Sequence, residues 1–120
     1  MRYRALLALA LVAATPAALA HAILVKAQPD KESVVAEAPK EIVLVFNDAV
    51  GQEFLALAVI DASGKRVDKP DAQLDFTDHS HLRASVEEKI PPGQYIVRYR
   101  VLSADGHVVS GKYSFQFQPK

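Results

Sequence analysis

With 120 residues and 14 Lys and Arg against 14 Asp and Glu, the chain is the size of one small domain and has no charge excess to attract nucleic acid or an anionic membrane surface. It has no Cys, which excludes disulfides, thiolate metal sites and thiol catalysis. Its one Met is Met1, so thioether metal sites are excluded as well.

The first predicted element is a targeting segment. Arg2 and Arg4 form a basic start, Ala5 to Ala14 is an uninterrupted apolar run, and Ala18-Leu19-Ala20 is a small-x-small cleavage signal. Ten apolar residues fall short of the ~20 that span a bilayer as a helix, and no later stretch approaches that length. The pattern predicts a cleaved signal peptide over 1–20 and one exported domain over 21–120, with no membrane insertion after cleavage. An uncleaved anchor is the competing reading, and the short apolar run disfavours it. Cleavage removes Arg2 and Arg4 and no acid, leaving twelve basic against fourteen acidic residues, a formal charge of −2. It also makes His21 the first residue. A terminal His offers two nitrogens that no internal residue combines, its α-amine and Nδ1, and together they close a chelate ring around one metal ion.

After His21, alternation of period two dominates and no long window carries a helical apolar stripe. Ala22 to Gln28 is a weak strand; Glu41 to Asn47 is a nearly continuous apolar run, suited to a strand buried on both faces or close to it. Lys31 to Lys40, flanked by Pro29 and Pro39, reads as a loop. Phe54 to Asp61 is a strand closed by the Ser63-Gly64 turn, followed by weaker strands at Lys65 to Asp68, Ala72 to Phe76 and His81 to Val86. Gln94 to Leu102 is the clearest strand, with Tyr95, Val97, Tyr99 and Val101 on one face and Ile96, Arg98 and Arg100 on the other. Lys112 to Gln118 places Tyr113, Phe115 and Phe117 on a core face. Seven or so short strands between Pro- and Gly-containing turns predict an all-β domain, a β-sandwich with Greek-key connections. The Pro92-Gly93-x-Tyr95 entry resembles the tyrosine corner of immunoglobulin-like sandwiches, without their Cys and Trp hallmark.

Metal chemistry converges on Ser103-Ala104-Asp105-Gly106-His107. Alternate residues of an extended segment project to one side, so Asp105 and His107 can meet on one ion, and with the His21 amine and imidazole they make three nitrogens and one carboxylate oxygen. That set suits copper(II), which also binds most tightly in the divalent series. Taken alone, Asp-Gly reads more simply as a hairpin turn with His107 as a surface residue. Asp78-His79-Ser80-His81 would place His79 and His81 on one side if extended, as a weaker second metal site; a solvated loop with incidental histidines is the better reading.

The start His21-Ala22-x-Leu24, the segment Ala38 to Phe46 followed by Asp48, the Pro92-Gly93-x-Tyr95 turn, and Val101 to Gly111 closing on Phe115 together resemble the CopC family of periplasmic copper-binding proteins over essentially the whole mature chain. The most specific element is the pairing of a mature N-terminal His with Ser-x-Asp-x-His. The resemblance implies an immunoglobulin-like sandwich that binds one Cu(II) tightly in a site like a histidine brace. By position, His21 supplies amine and Nδ1, His107 an imidazole nitrogen and Asp105 a carboxylate oxygen. Asp48 stands where related sequences often have Glu, as an axial ligand or a carboxylate just outside the ligand set, one methylene shorter. The chain departs from many relatives in having Ile23 where they carry a second His, and in lacking a Met-rich copper(I) loop, which implies the copper(II)-only type.

The expectation is therefore a periplasmic copper(II) carrier or buffer in copper homeostasis, import or resistance, not an enzyme, which hands its ion to an inner-membrane permease of the CopD type. One rival is a histidine-brace copper oxygenase, against which Asp105 stands because it takes a position such an enzyme leaves open to oxygen. The other is a metal-free structural sandwich, which predicts no stoichiometric metal.

Overall fold

The computed structural model describes residues 21–120, so the expected signal peptide at 1–20 lies outside the described residues. Eight strands form two four-stranded sheets, ordered β1-β3-β6-β5 and β2-β8-β7-β4. The strands are β1 Leu24–Gln28, β2 Val34–Val35, β3 Glu41–Phe46, β4 Gly51–Ile60, β5 Gln73–Leu74, β6 His81–Ser85, β7 Gly93–Leu102 and β8 Val108–Phe117. Only β5–β6 and β7–β8 connect within one sheet; the other five connections cross between sheets, the habit of a Greek-key sandwich. All ladders are antiparallel except β2 with β8.

The all-β sandwich read from the sequence is the fold observed, with differences that have physical causes. The eighth strand, β2, lies inside the segment expected to be a loop; two residues are too few for alternation to register. Lys65 to Asp68 is not a strand and contributes only the isolated bridges Ile60↔Arg66 and Asp68↔Val86. The strand expected at Phe54 begins at Gly51, and its register slips between Gly51 and Ala56, where Phe54 adopts φ 62°. That left-handed backbone is unusual for an aromatic residue, and the Phe54 carbonyl is held there by Arg100 Nε at 3.0 Å. β3 is not buried on both faces. Ile42, Leu44 and Phe46 point inward with at most 3% exposure, whereas Val43 and Val45 are half-buried, because a two-layer sandwich has no third layer to cover its outer face.

The core sits between the sheets, where the predicted faces of β7 and β8 meet. Tyr95 stacks on Phe115 with centroids 5.5 Å apart, and both are almost completely buried. Each such ring contributes about 1.5–3 kcal/mol by leaving water. The Tyr95 hydroxyl donates to the carbonyl of Pro91, which is the corner read from Pro92-Gly93-x-Tyr95. Phe46 meets Tyr99 edge to face at 5.4 Å, and the Tyr99 ring lies across Gly111, where a Cβ would come 2.3 Å from its hydroxyl oxygen. β7 and β8 pair without a slip from Gly93↔Phe117 to Leu102↔Val108, so they deliver the loop between them in a fixed position.

Candidate metal centre

The loop Ser103–His107 closes this hairpin. Its backbone is a turn rather than an extended segment: Gly106 N donates to Ser103 O at 3.0 Å, Ser103 N donates to His107 O at 2.8 Å, and Gly106 takes φ 89°, which favours glycine. The alternation expected to bring Asp105 and His107 together is therefore not the cause of their meeting. The turn is. It curls the chain so that His107 Nδ1 lies 2.9 Å from Asp105 Oδ2, while His107 N donates to Asp105 Oδ1 at 3.1 Å. Turn and convergence, set against each other in the sequence, are the same feature in the structure.

His21 reaches this loop from the other sheet. Ala22 is buried behind it, and Ile23 is clasped by Asn47, whose Oδ1 accepts from Ile23 N and whose N donates to Ile23 O, both at 2.9 Å. These contacts extend the β1–β3 pairing and lay the His21 ring at right angles to that of His107, with centroids 5.0 Å apart. His21 Nε2 is 3.2 Å from His107 Nδ1 and 3.2 Å from Asp105 Oδ2. Among the described residues, His21, Asp105 and His107 are the one group of three His or carboxylate side chains whose ligand atoms all lie within 4.8 Å of one another.

The triangle fits a metal ion. Donors 2.9–3.2 Å apart are spaced as neighbouring ligands around an ion with bonds of roughly 2.0–2.1 Å. The group is open to solvent on one side: the side chains of His21 and His107 are 43% and 65% exposed and that of Asp105 15%. Hydrogen bonds from the Ser103 hydroxyl and then from His107 hold the Asp105 carboxyl well below the usual carboxylate range, so it remains an anion at any physiological pH.

The other expected residues lie elsewhere. Asp48 is exposed in the β3–β4 loop, its Oδ1 accepts from Ala49 N at 2.8 Å, and it is not part of the triangle. His79 sits in the turn before β6, its carbonyl accepting from Val50 N at 3.0 Å, and His81 is the first residue of β6, with Nδ1 3.2 Å from Asp78 Oδ2. The backbone between these two histidines is a turn, so the extended arrangement that would have paired them is not formed. Sequence reasoning assigned no role to Asn47 or Ser103, although Ser103 stands in the Ser-x-Asp-x-His motif.

The sandwich thus carries a cluster of donors suited to a metal ion, two His and one Asp, at one end. The CopC domain family model matches residues 24–118, and the chain belongs to that family. It is 31% identical over 114 residues to the copper transport protein CutJ of Bacillus subtilis, a match covering 95% of this chain but only 21% of the relative, so the chain spans about a fifth of that longer protein. It is 30% identical to protein YobA of Escherichia coli over 84% of this chain and 82% of YobA. Among solved structures it resembles CopC from Methylosinus trichosporium OB3b, with TM-score 0.75 and 34% identity over 82% of this chain and 95% of that one. PcoC, a methionine-rich copper resistance protein from Escherichia coli, superposes with TM-score 0.68 and 28% identity over 82% of this chain and all of its own.

Proposed function

We propose that the chain is exported to the periplasm, cleaved after Ala20, and binds one Cu(II) through the His21 amine and Nδ1, His107 and Asp105. The observation that carries this reading is the triangle of His21, Asp105 and His107, which has the spacing of ligands on a single ion. The donor set supports copper(II): imidazole nitrogens and a carboxylate, in a chain whose sole sulfur is Met1. In the full chain His21 is peptide-bonded to Ala20, its nitrogen is an amide, and Nε2 is the ring nitrogen facing the other two ligands. A chelate with a freed amine uses Nδ1, so cleavage is accompanied by a turn of the imidazole.

The role that suits such a site is carriage or buffering of copper rather than catalysis. Asp105 occupies a place that an oxygenase keeps for oxygen, and exposure of His21 and His107 lets an incoming ligand replace them one at a time. The recipient in this reading is an inner-membrane permease of the CopD type. Asp48 serves at most as an outer carboxylate, and His79 and His81, separated by a turn, are incidental histidines outside the site. The test is intact mass and competition titration of the exported protein: the reading requires a mature chain starting at His21 with one tightly held Cu(II), and a different first residue or no stoichiometric copper refutes it.

A further inference from the structure

Every polar group of Ser103 is spent on the copper loop. Its N–H donates to His107 O at 2.8 Å, its carbonyl accepts from Gly106 N at 3.0 Å, and its hydroxyl donates to Asp105 Oδ1 while lying 3.1 Å from His107 O. Ser103 is also buried, at 3% exposure, beneath a loop whose other residues are half-buried or exposed. A solvated serine that happened to precede a turn would have none of this.

The consequence falls on the carboxylate. Asp105 Oδ1 accepts from both Ser103 Oγ and His107 N, whereas Oδ2 is the oxygen that faces His107 Nδ1 at 2.9 Å and His21 Nε2 at 3.2 Å. A carboxylate otherwise turns through a broad, two-fold range about its last bond, so either oxygen could be presented. We propose that Ser103 is a positioning residue for copper: by holding Oδ1 from below it fixes the carboxylate plane and aims Oδ2 at the ion. This rests on the copper reading above and adds to it a determinant that touches no metal. Partners that orient a ligand in this way commonly contribute ten- to a hundredfold to affinity.

The experiment compares the mature protein, Ser103→Ala, Ser103→Thr, Asp105→Asn and the double variant Ser103→Ala/Asp105→Asn by copper(II) competition titration and copper EPR. Ser103→Ala should bind roughly ten- to a hundredfold more weakly with an altered EPR spectrum. Ser103→Thr, which keeps the hydroxyl, should restore both, and Ser103→Ala should cost nothing further once Asp105 is Asn. Equal affinity for Ser103→Ala and the parent overturns the proposal, as does an additive loss in the double variant. If Ser103→Ala fails to fold, Ser103→Thr decides: a folded Thr variant with a deranged EPR spectrum and lost affinity refutes the aiming role. If the parent itself takes up no copper, the copper reading falls, and amide exchange at His107 in the metal-free protein judges Ser103 alone. Faster exchange in Ser103→Ala supports a held carboxylate; unchanged exchange overturns it.

Discussion

One peptide bond decides whether the nitrogen of His21 is a ligand. Retaining Ala20 ahead of His21 leaves an amide that cannot donate to a metal as an amine does, and we expect copper(II) affinity to drop by several orders of magnitude while both imidazoles and Asp105 remain. Competition titration of the native and extended forms checks this, and equal affinities would mean that the amine takes no part. Within the loop, Asp105→Asn keeps an oxygen for Ser103 and His107 N but removes the charge of a proposed ligand, so copper binding should weaken at least as much as in Ser103→Ala. The metal-free protein should still fold, its melting lowered only by the loss of the charged acceptor that Ser103 and His107 hold. His79→Ala with His81→Ala should leave the tight site intact, since neither reaches the triangle.

The β7–β8 hairpin contains two glycines that should respond differently to substitution. At Gly106 a side chain would have to adopt φ 89°, at a cost of about 1–2 kcal/mol, and relaxing the turn would separate Asp105 from His107. At Gly111 a Cβ would collide with the hydroxyl end of Tyr99, forcing that ring against Phe46, with an expected loss of about 1–3 kcal/mol. Gly106→Val should therefore damage copper affinity more than melting, and Gly111→Ala melting more than copper affinity. Parallel titration and thermal denaturation of the two variants would reveal the opposite pattern if the site depended on core packing rather than on the turn.

This hairpin also shows what could be read in advance. β7 and the second half of β8 were legible because aromatic and β-branched residues alternate there, a signal that sheet packing makes obligatory, whereas Val108 to Gly111, which open β8, lack that alternation and were not read as strand. His21, Asp105 and His107 were legible because their residue types bind metals and occur in short motifs. The start of β4 was not, since Gly51-Gln52-Glu53 has no apolar alternation and joins the sheet through pairing with β7. The work of Ser103 was equally hidden: a buried hydroxyl under a turn and a wet one on its surface are the same letter, and only the folded loop separates them.

At the scale of the whole molecule, acid should take the copper before it takes the fold. Nitrogen ligands must be free of protons to donate to a metal, so protons compete with copper at the proposed amine and imidazole nitrogens as the solution is acidified. Asp61, Asp71, Asp78 and Asp105 behave in the opposite sense. Hydrogen bonds, led by those from Ser63, Ser85, Ser80 and Ser103 respectively, hold each carboxyl below its ordinary value in the folded state. Groups depressed in this way stabilise the fold above the unfolded carboxylate value of ~3.9 and lose that contribution only as pH falls through their folded values. Copper affinity should decline steeply between roughly pH 7 and 5 while the near-ultraviolet signal of the Tyr-rich core persists to about pH 4. Unfolding that tracks copper release at pH 5 to 6 would contradict this.

The two halves of the triangle stand 86 residues apart in the chain, and no disulfide spans that distance. On the proposed ligand set, the ion is a reversible cross-link between the amino end and the final hairpin. Closing a loop of that length with a covalent bond removes about 4–5 kcal/mol of unfolded-chain entropy. Copper should therefore act as a removable staple, and its sharpest effect should be at the terminus. An aminopeptidase needs a free, pliable amine, and the loaded protein presents that amine bound to metal. The empty protein would be trimmed at His21 and permanently disarmed, whereas the loaded one would survive, so the cargo guards the group that holds it. Digestion with and without copper, read by intact mass, should show that asymmetry.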